Sequence, residues 1–132
     1  PIAQGWLRAS HRKLDPVLST PYRPYHTHDA AQPLTPGVPV QVDVELWPTC
    51  IVVPAGHRIA LTVRGRDYEF AKSTGARLSN FKNELRGCGP FLHDDPRDRP
   101  AAVFGGRTTL HIGPAQPCYV LLPVVPPRPR AA

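Results

Sequence analysis

Apolar and polar residues alternate through two runs in the middle of the chain. The apolar face of the first run consists of Val38, Val40, Val42, Val44 and Leu46, and the polar face of Gln41, Asp43 and Glu45. A second run repeats the pattern with Ile59, Leu61 and Val63 on one side. Alternation with a period of two is typical of half-buried antiparallel strands, because successive side chains point to opposite faces. The sequence therefore predicts two long strands of a β sandwich or barrel.

Turn residues bound these two runs. Leu34–Gly37 predicts a turn that leads into the first strand, and Pro54–Gly56 predicts the reversal before the second. Alternation returns over Ala102–Ile112, and Cys118–Val125 predicts the last strand. The fold class predicted from the pattern is all-β.

Proline usage strengthens this prediction. The chain holds 18 prolines against 10 glycines, which disfavours long helices and suits a β domain rich in loops. Residues 11–37 are so rich in proline that they predict an extended connection lying over a surface. A short helical turn is predicted near Ala76–Leu85.

The basic balance does not predict a nucleic-acid partner. The net charge is +6, but the basic residues are scattered and are not interleaved with aromatic residues as a stacking platform requires. A solvated surface or a face toward an acidic partner domain explains the charge. No apolar run is long enough to span a membrane, so no membrane partner is predicted.

The cysteines predict neither a disulfide framework nor a zinc site. Cys50, Cys88 and Cys118 are odd in number and lack C-x-x-C spacing. We interpret all three as reduced thiols, and Cys50 and Cys118 as small hydrophobes within apolar runs. The compartment is left open, with the cytoplasm favoured, and no cofactor is predicted.

Histidines supply the only candidate chemistry, and none of it is complete. His26 and His28 have the spacing of a metal pair beside Asp29, but they lie in the proline-rich connection and lack the glutamate expected of a cupin-like site. The sequence His93–Asp95 is better explained as a turn whose aspartates cap backbone amides. No serine stands in a G-x-S-x-G elbow. Hence no catalytic residue and no metal ligand is assigned.

A series of short motifs follows one order along the chain. The motifs are Gly5–Arg12, Pro21–Pro24, the Leu34–Gly37 turn, Leu46–Thr49, Pro54–Ile59, His93–Pro96, Phe104–Gly106 and Tyr119–Pro123. They extend from residue 5 to about residue 125. Each motif is weak alone, but in this order they resemble the C-terminal domain of X-Pro dipeptidyl-peptidase and cocaine-esterase-like hydrolases.

This resemblance implies a galactose-binding-like jelly-roll β sandwich attached to an α/β-hydrolase. The catalytic serine, aspartate and histidine of the family belong to the hydrolase part, so no catalytic residue carries over to this chain. Residues 1–125 are expected to form the later part of the jelly roll, incomplete on its N-terminal side, and residues 126–132 a tail rich in proline and arginine.

The leading functional hypothesis is therefore a non-catalytic accessory β domain of a serine hydrolase. It would pack on an α/β-hydrolase catalytic domain, in cis or as a separate chain, and wall part of the substrate cleft. The candidate interface residues are Trp6, Arg8, His11 and Arg12, because an aromatic residue beside polar donors suits an interface. The alternative for Trp6 is a core residue, and self-association of the chain is left open.

Two hypotheses from other classes compete with it. A free-standing carbohydrate- or ligand-binding β sandwich would use Tyr22, Tyr25 and Trp47 as an aromatic platform. A metal-dependent β-barrel enzyme would depend on His26 and His28.

Overall fold

The computed structural model describes residues 1–69 and 92–126 of the chain. It divides into two compact units. One, the tryptophan unit, comprises Ile2–Thr49 and Leu110–Ala132; the other, the clamp unit, comprises Pro1 and Cys50–Thr109. Each unit is treated by itself below.

Regular secondary structure in the described ranges is limited to short pieces. A 3₁₀ turn covers Ala9–His11, and one α-helical turn, α1, covers Ala101–Phe104. Antiparallel pairing is restricted to isolated bridges, which are Leu14 with His26, Thr20 with Arg23, and Gly113 with Gln116. The described part therefore contains no strand ladder, and the jelly roll stays a prediction.

Helix α1 corrects the strand predicted over Ala102–Ile112 at its N-terminal end. Pro100 has φ −60° and caps α1, and the amide of Gly105 donates to the carbonyl of Ala101 at its C-terminal end. The two consecutive alanines that open α1 have the highest helix propensity. Local helix signals thus override the short alternation at this point.

Both predicted turns are confirmed. The amide of Val38 donates to Thr35 O at 3.1 Å, and that of His57 to Pro54 O at 3.1 Å. The third residue of each turn is a glycine with positive φ, 78° at Gly37 and 83° at Gly56. Positive φ at this position defines a type II turn, which glycine adopts without steric cost.

The proline-rich connection folds back on itself. We call residues 10–32 the proline-rich loop, because the Gln32 amide donates to Ser10 O at 2.7 Å and joins its two ends. Further in, the Thr27 amide donates to Lys13 O at 3.1 Å. The Asp15 carboxylate accepts the amides of the two residues after Pro16, at 2.8 and 2.9 Å. The loop thus satisfies much of its backbone locally, as a connection without strands must.

No described residue is fully enclosed, and the described ranges contain no hydrophobic core. Along the predicted apolar face of residues 38–46, exposure ranges from 37% at Val40 to 56% at Val38. The two described cysteines, Cys50 and Cys118, are free and exposed, which corrects their interpretation as buried hydrophobes. Trp6 is 41% exposed and is not a core residue here. The apolar surface of the described residues is available to a partner.

Three sequence predictions lie outside the described residues: the helical turn near Ala76–Leu85, the thiol of Cys88, and the tail beyond residue 126. Among the described residues, no helix combines the length and the apolar character that crossing a membrane requires.

Candidate functional site

The predicted interface residues lie on one short stretch around the Ala9–His11 turn, and the structure gives them different roles. Trp6 packs against Trp47, His11 lies beside His28, and the Arg12 side chain bonds within its own loop. The Arg8 side chain is exposed, and its carbonyl accepts the amide of His11 at 2.7 Å. Within this stretch, Trp6 therefore makes an aromatic contact, and Arg12 holds the loop that follows.

Trp6 and Trp47 form an edge-to-face pair. Their ring centroids are 5.2 Å apart and their planes make an angle of 75°. This T-shaped arrangement is favoured because the positive edge of one ring meets the negative face of the other. The sequence suggested Trp6 and Trp47 for two different hypotheses, and the structure brings them together.

A close backbone approach holds the tryptophan pair in place. The Trp47 amide donates to Gln4 O at 2.8 Å. A Cβ added to Gly5 would lie 2.0 Å from the carbonyl oxygen of Glu45 and 3.1 Å from a methyl group of Val44. Only glycine therefore lets residues 4–6 approach residues 44–47 this closely.

Arg12 anchors the proline-rich loop. Its guanidinium donates to Gln32 O at 2.6 Å and to Ala9 O at 3.0 Å. Both acceptors are backbone carbonyls: Ala9 immediately precedes the loop, and Gln32 is its last residue. This contact gives Arg12 a structural role in closing the loop, and its role at an interface stays a prediction.

An ion pair fixes the middle of the same loop. Lys13 Nζ lies 2.7 Å from the Asp29 carboxylate, and Thr27 Oγ1 donates to the other oxygen of that carboxylate. These two hydrogen bonds, that of Lys13 first, lower the pKa of Asp29 to about 2. Asp29 is therefore committed to Lys13, which leaves its carboxylate less available as the metal ligand that the sequence had suggested.

The histidine pair of the sequence becomes a cluster of three rings. The His26 and His28 centroids lie 6.0 Å apart, and His11 joins them at 5.7 Å from His28. His11 Nδ1 and His26 Nε2 are buried and have no hydrogen-bonding partner within the described residues. His28 has φ 53°, so this segment is not the strand on which paired imidazoles would share one side.

The described residues contain no group of three or more histidine, cysteine or acidic side chains placed to hold a metal ion. The cluster brings its rings together by loop packing. Reasoning from the sequence missed His11 as its third member, because no local signal links His11 with residues 26–28.

A second candidate site lies in the clamp unit. Asp67 Oδ2 accepts two hydrogen bonds from His93, one from its amide at 2.7 Å and one from ring Nδ1 at 2.9 Å. The Asp67 side chain is only 10% exposed. The sequence had placed His93 next to Asp94 and Asp95, and the structure pairs it instead with a carboxylate 26 residues away.

The turn predicted after His93 is confirmed. Asp95 accepts the Arg97 amide at 2.9 Å and pairs with the Arg97 guanidinium at 2.6 Å. This pair lowers the pKa of Asp95 and raises that of Arg97. Arg99 donates to Gly65 O at 3.1 Å. Together these contacts hold residues 92–99 against residues 65–67.

A pocket of about 260 Å³ opens between these two segments. It is lined by Arg66, Asp67, Glu69, Leu92, His93, Asp94 and Arg99. Its lining mixes acidic and basic side chains, so it does not present the uniform charge that attracts an ionic ligand. The carboxylate orients the imidazole as in many catalytic sites, but no described serine, cysteine or threonine lies in this lining to act as a nucleophile.

Comparison with known protein families identifies the class of domain to which this chain belongs. The sequence profile of the X-Pro dipeptidyl-peptidase C-terminal non-catalytic domain matches residues 1–121. The chain belongs to this family of domains. The match confirms the resemblance based on the motifs between residue 5 and about residue 125.

Two curated relatives share part of the chain. Both are named "Putative serine esterase", one from Mycobacterium bovis and one from Mycobacterium tuberculosis. Each is 39% identical over an alignment of 71 residues, and the alignment covers 50% of this chain and 11% of the relative. The chain thus matches only a small part of the length of these relatives. No solved structure matches the chain.

Proposed function

We propose that this chain is the accessory β domain of a serine α/β-hydrolase that cleaves acyl ester or amide bonds. The observation that carries the proposal is the match of residues 1–121 to a family defined as the non-catalytic C-terminal domain of X-Pro dipeptidyl-peptidases. The names of the mycobacterial relatives support the esterase branch of such hydrolases. Substrate binding and the catalytic residues are assigned to the hydrolase domain.

The exposed apolar surface supports a role in packing against another domain. Contiguous apolar surface left open on a domain marks an interaction site, because its hydration is unfavourable. The predicted apolar face of residues 38–46 is open along its length in the described structure. We propose that further strands of the jelly roll and the catalytic domain cover this surface, and that the domain thereby stiffens the hydrolase and walls part of its substrate cleft.

One experiment separates an accessory role from catalysis. The purified chain is assayed for hydrolysis of a nitrophenyl acyl ester, and then added to the catalytic domain of the parent hydrolase. We expect no turnover by the chain alone, and a rise in kcat/KM or in thermal stability of the catalytic domain when the chain is present.

Turnover by the chain alone that a serine-directed inhibitor abolishes would refute the non-catalytic assignment. Absence of binding between the chain and the catalytic domain would refute the packing role.

A further inference from the structure

We propose that Trp6 and Trp47 form the anchor through which this domain docks on the catalytic domain of its parent hydrolase. The inference rests on the proposed function and locates the contact on particular residues. Trp6 is 41% exposed and Trp47 65% exposed. Tryptophan is enriched among the residues that dominate interface energetics, because its large ring becomes fully desolvated on binding.

The two indoles are preorganised for binding. The hydrogen bond from the Trp47 amide to Gln4 O and the approach of Gly5 to Glu45 O fix both backbones before any partner arrives. The edge-to-face contact at 5.2 Å then restricts both rings. Side chains ordered in advance lose less conformational entropy on association, which favours affinity.

An exposed valine lies beside the tryptophan pair. Val44 is 41% exposed, and one of its methyl groups would lie 3.1 Å from a Cβ added to Gly5, the residue before Trp6. We call Trp6, Trp47 and Val44 the patch. An aromatic centre with neighbouring aliphatic surface is the composition of an interface core.

The catalytic domain is the occupant that the observations favour. The family is defined as a non-catalytic part of a larger peptidase, and the aligned segment is only 11% of each esterase relative. A sugar is disfavoured, because at 75° the edge of one indole covers a face of the other and the two rings do not form a flat platform. The sugar hypothesis grouped Tyr22, Tyr25 and Trp47 into one aromatic platform. In the structure the ring of Trp47 packs against Trp6, while the two tyrosines lie in the proline-rich loop.

The chain contains only these two tryptophans, so tryptophan-specific labels report on the patch alone. We suggest incorporating 5-fluorotryptophan into the full chain and recording ¹⁹F NMR spectra, with Trp6→Phe and Trp47→Phe assigning the two resonances. Titration with the unlabelled catalytic domain of the parent hydrolase should shift or broaden both resonances. Trp47→Ala should weaken binding at least about 30-fold, as loss of an interface hot spot does.

Tyr119→Ala is the matched control, because Tyr119 is an exposed aromatic residue of the same unit. The Tyr119→Ala chain should bind the catalytic domain with the same affinity as the wild-type chain. Trp47→Phe should bind more tightly than Trp47→Ala, since it retains an aromatic ring.

The possible results have distinct meanings. Binding that leaves both ¹⁹F resonances unchanged, or that Trp47→Ala does not weaken, overturns this inference and leaves the proposed function intact. Absence of binding overturns the proposed function and the inference together. Resonances that respond to dilution of the chain alone, or to added galactose, identify a second copy or a sugar as the occupant and also overturn the inference.

Discussion

Among the described glycines, Gly5 is the one at which an added Cβ would meet the nearest atom. An added Cβ would lie 2.0 Å from the Glu45 carbonyl oxygen, so the two backbone segments would have to separate. We predict that Gly5→Ala lowers the free energy of unfolding by about 1–3 kcal/mol, the usual range for overpacking. Thermal or denaturant unfolding of the chain measures this change.

Gly65→Ala is the control, because a Cβ there meets nothing within 4 Å and the backbone φ is not in the left-handed region. We expect Gly65→Ala to change stability by no more than about 0.5–1 kcal/mol, and in the favourable direction, since alanine restricts the unfolded chain. Equal destabilisation by both substitutions would contradict the proposed contact between residues 4–6 and 44–47.

Asp29 gives the proline-rich loop a defined response to acid. Its pKa is lowered to about 2 by hydrogen bonds from Lys13 and Thr27, against 3.8 ordinarily. A lowered folded-state pKa means that the contact stabilises the loop fully above about pH 4 and is lost as the pH falls through about 2. We predict that the carbon chemical shift of the Asp29 carboxyl group titrates with a midpoint near 2.

Two substitutions rank the causes of this shift. Lys13→Met should raise the pKa of Asp29 more than Thr27→Val does, because the Lys13 hydrogen bond has the larger effect. The reverse order, or an ordinary pKa in the wild-type chain, would show that Lys13 and Asp29 are not paired in solution.

At the scale of elements, Arg12 decides whether the proline-rich loop stays closed. Its guanidinium donates to Gln32 O and Ala9 O, and hydrogen bonds from a charged group to partly buried carbonyls contribute about 1.5–3 kcal/mol. We predict that Arg12→Met accelerates hydrogen exchange of the Gln32 amide, which donates to Ser10 O, by at least about tenfold.

Arg23→Met is the matched control, since Arg23 lies in the same loop with an exposed side chain and pairs with Thr20 through its backbone. It should leave the exchange of the Gln32 amide unchanged. If both variants accelerate exchange of the Gln32 amide equally, then the loss of a positive charge, and not the loss of the Arg12 hydrogen bonds, causes the loop to open.

Turns were the elements that could be predicted best. The turns at Gly37 and Gly56 each need one residue with positive φ. Because glycine adopts positive φ readily, its position in the sequence indicates where such a turn forms. The strand predicted over Ala102–Ile112 was wrong at its start, where Pro100 and two alanines open helix α1. Over such a short segment, alternation and helix propensity compete within a few residues, and periodicity alone cannot separate them.

At the scale of the whole molecule, the predicted jelly roll implies that lysine substitutions at two neighbouring residues affect stability very differently. Val42 belongs to the predicted apolar face and Gln41 to the polar face. In the complete hydrolase we predict that Val42→Lys lowers stability by about 2–4 kcal/mol, because it buries an unpaired charge. Gln41→Lys should change stability by about 0.5 kcal/mol or less.

Thermal unfolding of the two hydrolase variants beside the wild type provides the measurement. Similar losses for Val42→Lys and Gln41→Lys would show that the alternation does not separate an interior from a solvent face. The sandwich prediction would then fail, while membership of the family would stand on the profile match.

The interface hypothesis changed most between sequence and structure. From sequence, Trp6, Arg8, His11 and Arg12 formed one candidate set because they are close along the chain. The structure separates Trp6, which packs on Trp47, from Arg12, which bonds to Gln32 O. Closeness in sequence does not determine which way a side chain points when a 3₁₀ turn intervenes.

The sequence by itself determined the family, both glycine turns and the capping turn after His93, because each depends on residue identity over a few neighbouring positions. Only the tertiary structure decided that Trp47 joins Trp6, that His11 joins His26 and His28, and that Asp67 pairs with His93. Along the chain, His11 and His28 are 17 residues apart (28 − 11), Asp67 and His93 are 26 apart, and Trp6 and Trp47 are 41 apart (47 − 6). Such contacts form only when loop closure brings distant segments together, and no local pattern of residues records which segments meet.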